Sequence, residues 1–170
     1  GGVGKTTIAR VLYEQLSDQY EGSCFLANVR EISEKRGLAY LQQMLLSKVL
    51  KETNLNICDH HEGINLIRRR LCKKKVFLVL DDVDQLEQIQ LLAGKHDWLG
   101  FGSRILITTR DAHVLASNGI NSLYKVQGLN YYEALSLFHV KAFKHIQPTN
   151  NHLELSRHAV HYANGFPLAL

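Results

Sequence analysis

Gly1-Gly2-Val3-Gly4-Lys5-Thr6-Thr7 stands at the head of the chain and matches the end of the phosphate-binding loop pattern G-x-x-x-x-G-K-[ST]. With Gly4-Lys5-Thr6 on the last three positions, the first glycine of the pattern falls two positions before residue 1. The chain therefore starts inside the loop and reads as a fragment of a longer protein. Gly1, Gly2 and Gly4 let backbone N–H groups turn onto a phosphate with no Cβ in the way. Lys5 supplies a point charge for the β- and γ-phosphates, and the Thr6 hydroxyl suits Mg²⁺. Ile8, Val11, Leu12 and Leu16 recur at helical spacing just after it, so a helix should present its positive dipole end to the anion.

A second element fits the first. Val76-Phe77-Leu78-Val79-Leu80 is an apolar strand that ends in Asp81-Asp82. One carboxylate of such a pair can hold Mg²⁺, directly or through water, while the other orients or deprotonates an attacking water. In open α/β sheets, ligands sit at the carboxyl ends of the strands, which brings the pair toward the loop. Ser103–Thr108 is another strand, followed by Thr109 and Arg110. Thr108, Thr109 and Arg110 thus place hydroxyls and a guanidinium where a γ-phosphate can be sensed, Arg110 with its forked donors; the plainer alternative for Arg110 is a pair with Asp111 or another surface acid.

Strands at Ser23–Val29, Lys75–Leu80, Ser103–Thr108 and, more weakly, Leu123–Val126 alternate with helical stretches. Leu38, Leu41, Leu45 and Val49 share one helix face after the breaker Gly37, and Ile64, Ile67 and Leu71 share another over Glu62–Cys72. Such alternation specifies an α/β doubly wound domain with a parallel sheet. Beyond residue 128 the pattern turns wholly helical. Asn130 and Glu133 form a capping box, with Tyr131, Leu135, Phe138 and Ala142 as the expected buried stripe. A loop around Pro148–Asn151 leads to a helix over Leu153–Ala163, ended by Gly165.

The 170 residues include 2 Pro and 12 Gly and no heptad or low-complexity tract, which excludes collagen, coiled coil and wholesale disorder. Val76–Leu80 is among the longest apolar runs at five residues, far short of the roughly 18–20 of a membrane span. A net charge of +4 does not choose between nucleotide and nucleic acid. Cys24, Cys58 and Cys72 are odd in number and form no C-x-x-C pair. They point to a reduced, intracellular setting rather than to disulfides or zinc. The basic run Arg68–Lys75 is read as a solvated, dipole-compensating face. His60-His61 is read as part of a polar loop, and Trp98 as a packing residue.

Taken in order, Gly1–Thr7, Phe25-Leu26-Ala27-Asn28-Val29-Arg30, Leu78–Asp84, Gly102–Arg110 and Gly165-Phe166-Pro167-Leu168-Ala169-Leu170 resemble the nucleotide-binding (NB-ARC) domain of plant disease-resistance receptors. The resemblance covers essentially the whole chain. Both Leu80-Asp81-Asp82-Val83-Asp84 and the Phe-Leu-Ala-Asn-Val-Arg block look like the branch that carries a TIR domain. Phe166 departs from the family motif, which usually has Leu there.

The resemblance implies a P-loop NTPase sheet with strand order 2-3-4-1-5 over residues 1–128, in which strand 1 is missing from the chain. Ser103–Thr108 would be strand 4 and Leu123–Val126 strand 5. Residues 129–170 would begin the first helical (ARC) subdomain. It further implies an intracellular ADP/ATP switch, in cytoplasm or nucleus, reset by slow ATP hydrolysis rather than acting as a dedicated enzyme. The nucleotide would contact Gly1, Gly2, Val3, Gly4, Lys5, Thr6, Thr7, Arg110 and the adenine-facing Pro167. Thr6 and Asp81 would hold Mg²⁺, and Asp82 would act on the attacking water. Implied partners are further copies of the receptor and its own TIR and leucine-rich-repeat regions, with no nucleic acid and no membrane span. The competing function is an AAA-like ATPase with sustained turnover; a nucleic-acid module using the basic run is a third.

Overall fold

The computed structural model describes residues 1–94, 97–120, 122–144 and 149–170. Pro148, at the start of the expected loop, lies outside them. The chain divides into two compact units: Thr6–Ser122, and Gly1–Lys5 together with Leu123–Leu170.

The larger unit is built on a parallel sheet of β1 (Gly22–Leu26), β2 (Val76–Val83) and β3 (Arg104–Thr109), ordered β1-β2-β3. Gly22 pairs with Val76 through to Leu26 with Leu80, and Phe77 pairs with Arg104 through to Leu80 with Ile107. This order agrees with the expected 2-3-4 run. β2 is buried along nearly its full length, as a central strand covered on both faces must be.

Alternate β2 side chains point to opposite faces. Val76, Leu78 and Leu80 join Cys24 and Leu26 in a core completed by α3 (Leu38–Leu50), α4 (His60–Leu71) and α5 (Leu86–Leu92). Leu41, Leu45, Ile67 and Leu71 are fully buried there, as their helical spacing predicts, and Trp98 packs in the same core. On the other face Phe77 and Val79 meet Ala9, Tyr13 and Leu16 of α1 (Lys5–Leu16). The Tyr13 ring stands edge-on to Phe25 at 5.6 Å.

Several boundaries differ from expectation, each for a local reason. β1 stops at Leu26 because Asn28 turns left-handed (φ 51°) and starts α2 (Val29–Arg36). His60 and His61 open α4 instead of lying in a loop, since the Asp59 carboxylate accepts from the His61 and Glu62 N–H groups and caps the helix. Ile8 and Val11 are exposed: the α1 row facing the sheet is 9, 13 and 16, about a hundred degrees around the helix from 8. A short α6 (Ala112–Ala116) follows β3.

Leu123–Val126 forms no strand. No ladder joins it, and Leu123 and Tyr124 are exposed; extended backbone without a partner's N–H and C=O groups gains nothing from strand conformation. In the smaller unit, α7 (Tyr131–Phe143) carries the expected Asn130–Glu133 capping box. Its buried side is not the expected stripe. Ala134 is buried, whereas Tyr131 and Ala142 are exposed, because the helix turns the face of Phe143 to α8, where that ring stacks on His152 at 5.6 Å. α8 (Asn150–Ala163) begins three residues early under a Thr149 capping box and ends on left-handed Asn164 and Gly165.

Candidate functional site

Each cluster of candidate residues is set by the end of a strand or helix. Gly2 and Gly4 take φ of 84° and 99°, a region where a side chain is strained and glycine is not. The Leu168 N–H donates to the Gly2 carbonyl at 3.3 Å, and a Cβ on Gly2 would lie 3.2 Å from Leu168 Cβ. The 3₁₀ turn Pro167–Ala169 is thus held beside Gly2, which joins Pro167 to the glycine loop within one unit. Gly1 is exposed, Val3 half-buried, and Lys5 opens α1.

In the larger unit, Asp81 sits at the C-terminal end of β2, 1% exposed. The Thr6 hydroxyl donates to its Oδ1 at 2.8 Å and the Thr108 hydroxyl at 2.7 Å. Thr7, the next residue of α1, is exposed. A buried carboxylate needs such donors or a cation to offset its desolvation. An all-oxygen set made of a carboxylate and a threonine hydroxyl is what a small hard cation such as Mg²⁺ prefers.

Asp82 differs from its neighbour in backbone and in the partners of its carboxylate. The β2–β3 register shifts between Leu80 and Val83, and Asp82 stands in that bulge with φ 58°. Freed from the ladder, its N–H donates to Thr108 Oγ1 at 2.9 Å. One threonine hydroxyl thereby fixes both acids, accepting from the backbone of Asp82 and donating to the side chain of Asp81. The Asp82 carboxylate points elsewhere, with Oδ1 3.0 Å from Arg110 Nε and Oδ2 3.1 Å from Arg30 Nη2. Arg110 does pair with an acid, but with Asp82 and not with Asp111, whose side chain caps α6.

Sequence reasoning brings together Thr6, Asp81, Asp82 and Arg110, and the larger unit does so. It gives no role to Arg30, although Arg30 lies inside a block singled out for the resemblance, and it assigns the Thr108 hydroxyl to γ-phosphate sensing rather than to the two acids. The signal for Thr108 was a hydroxyl residue at a strand tip beside an acid-bearing strand. The run Arg68–Lys75 supplies ion pairs, Arg68 with Asp97 and Arg70 with Glu52.

Comparison with known proteins gives the family. Residues 1–147 match the family described as NB-ARC domain. The chain is 46% identical over 171 residues to Disease resistance protein RPV1 of Vitis rotundifolia, covering 100% of this chain and 12% of that protein. It is 44% identical over 177 residues to TMV resistance protein N of Nicotiana glutinosa, covering 100% of this chain and 15% of that protein. Disease resistance-like protein DSC1 of Arabidopsis thaliana is 41% identical over 169 residues. The chain thus spans about an eighth of the length of such relatives. A match over most of its residues, with a parallel sheet that delivers Asp81 to the Thr6 hydroxyl, places it: this chain belongs to the NB-ARC domain family.

Proposed function

We propose that this chain is the ADP/ATP-binding switch of a plant immune receptor, reset by slow hydrolysis. The observation that carries the proposal is the contact of the Thr6 hydroxyl with the buried Asp81 carboxylate, which supports Thr6 and Asp81 acting together as metal-holding groups. On this reading Gly1 to Thr7 surround the phosphates, Lys5 neutralises them, and Pro167 meets the adenine. Thr6 and Asp81 would hold Mg²⁺, which when bound neutralises charge on the β- and γ-phosphates. Asp82 would align the attacking water, and Arg110 would exchange its carboxylate partner for a γ-phosphate oxygen. Residues 1–128 would form the nucleotide domain and 129–170 the start of the helical subdomain.

Relatives named for disease resistance support a role in defence; on this reading it would be exerted inside the cell, through self-association and through TIR and leucine-rich-repeat regions of the receptor. No helix among the described residues is long and apolar enough to cross a membrane.

Calorimetric titration of ADP and ATP tests the site. Lys5→Ala is expected to weaken both on the order of a hundredfold, since a charge-assisted contact to phosphate is worth about 1.5–3 kcal/mol. Unchanged affinity overturns the phosphate-loop assignment. Turnover separates this reading from the motor: trapped ADP supports the switch, and many cycles per minute support a dedicated ATPase.

A further inference from the structure

Arg30 stands near the N-terminus of α2 with its guanidinium on Asp82 Oδ2, opposite the Arg110 guanidinium on Oδ1. The two arms are not equivalent. Arg110 lies in the segment just after β3, and its side chain is 56% exposed. Arg30 is 37% exposed and its turn is tied down from behind. The Ser33 hydroxyl donates to the Arg30 carbonyl at 2.8 Å. Gln88 Nε2 donates to that Ser33 hydroxyl at 3.0 Å and to Asp84 Oδ1 at 2.8 Å. Gln88 Oε1 in turn accepts from the Asp84 N–H at 3.0 Å. Gln88 is 1% exposed, so its amide is shielded even though Asp84 is exposed and Ser33 half-buried, and a satisfied buried amide rigidifies its neighbours.

The contacts close a ring. It starts at Asp84, just past β2, crosses α5 at Gln88 and α2 at Ser33, and returns to β2 through Arg30 and Asp82. A lone surface ion pair fixes little, because two long side chains must be ordered for a screened attraction. A guanidinium whose own turn is already ordered by a buried amide escapes most of that cost. Asp82 also needs such support, since its left-handed backbone sits in a bulge where the ladder no longer holds it.

We propose that Arg30 is the positioning residue for Asp82: braced through Ser33 and Gln88, it keeps the carboxylate aimed while the more exposed Arg110 exchanges Asp82 for a phosphoryl oxygen. The proposal rests on the nucleotide-switch reading, in which Asp82 aligns the attacking water. It assigns Gln88 and Asp84 a task at one remove, that of keeping α2 in register with the end of β2.

The test uses the full chain as its gene encodes it, with single-turnover ATP hydrolysis and ADP affinity measured side by side. Arg30→Ala is expected to slow hydrolysis about tenfold, as misplacement of an aligning group does, with ADP affinity within about twofold of the parent. Arg30→Lys should recover part of the rate. In an Asp82→Asn background, Arg30→Ala should have no further effect, because residues acting through one group are non-additive. A parent-like rate for Arg30→Ala overturns the proposal, as does a loss equally large in the Asp82→Asn background or a parallel loss of ADP affinity. Should Arg30→Ala not fold, Arg30→Gln carries the same comparison with a polar, uncharged head. A parent-like rate for Asp82→Asn itself overturns the nucleotide reading of Asp82 and this proposal with it, whereas a dead Asp82→Asn beside an unaffected Arg30→Ala removes the proposal alone.

Discussion

Asp81 and Asp82 are adjacent in the chain yet meet opposite surroundings, one buried under two hydroxyls and the other held by two guanidiniums. Their substitutions should therefore separate. On the proposed switch, Asp82→Ala is expected to retain ATP while hydrolysing it at least about tenfold more slowly, which biases the receptor toward signalling; single-turnover assay of bound ATP checks this, and a normal rate removes the water-aligning role. A second prediction concerns Cys24. Burial pushes its thiol up from 9.0 to about 12, partly opposed by the Lys48 ammonium. The folded state holds this proton more tightly than the unfolded chain, so the contribution of the neutral thiol is intact below about pH 9 and is drawn down as pH rises toward 12. Disulfide reagents near pH 8 should label the exposed Cys58 and Cys72 and leave Cys24 unmodified; rapid labelling of all three refutes it. At this scale the sequence shows which residue types could act, because acids at a strand end and a Gly-Lys-Thr loop have few other uses. It does not show that Arg110 faces Asp82, since that pairing depends on the bulge at Leu80–Val83, which no local pattern announces.

Among the elements, those with long apolar periodicity were legible and the short polar ones were not. α3 and α4 follow from Leu41, Leu45, Ile67 and Leu71, and β2 from its continuous apolar run. α2 escapes because Val29–Arg36 is mostly charged and follows an apolar stretch that reads as one strand through Val29; α5 and α6 are only 7 and 5 residues long. Leu123–Val126 shows the converse error, β-prone residues with nothing to pair with. The α3–α4 contact also carries a feature invisible to patterning. Gln42, fully buried, donates to the His60 and Leu91 carbonyls, and a Cβ on Gly63 would overlap its side-chain amide. Gly63→Ala should thus lower stability by about 1–3 kcal/mol through overpacking, despite alanine's better helix propensity. Denaturant unfolding measures it, and the loss should shrink in a Gln42→Ala background. A stability gain from Gly63→Ala would show that the amide yields freely.

For the whole molecule, ligand linkage gives the broadest test. ADP at a hundred times its dissociation constant contributes about 2.7 kcal/mol to a folded state that alone binds it, or about 5–10 °C in the unfolding midpoint at this chain length. Calorimetric scans with and without ADP should show that rise for the parent and only about 1–2 °C for Lys5→Ala, for which the same ADP concentration about equals the dissociation constant. An equal rise in both places the ligand elsewhere. The fold class was legible at this scale because a parallel sheet needs helical crossovers, and alternation in sequence records them. Those same crossovers set a timetable during synthesis. Gly22 of β1 finds its ladder partner only at Val76, and at about 5–20 residues per second the ribosome needs roughly 3–11 s to reach it. Through that interval Cys24 and Leu26 have no strand beside them, and α3, which emerges before β2 and packs on β1 in the finished core, is the element in position to shield them. Slowing translation across residues 51–75 would lengthen the wait without altering the native structure, and nascent-chain aggregation is the quantity it would raise.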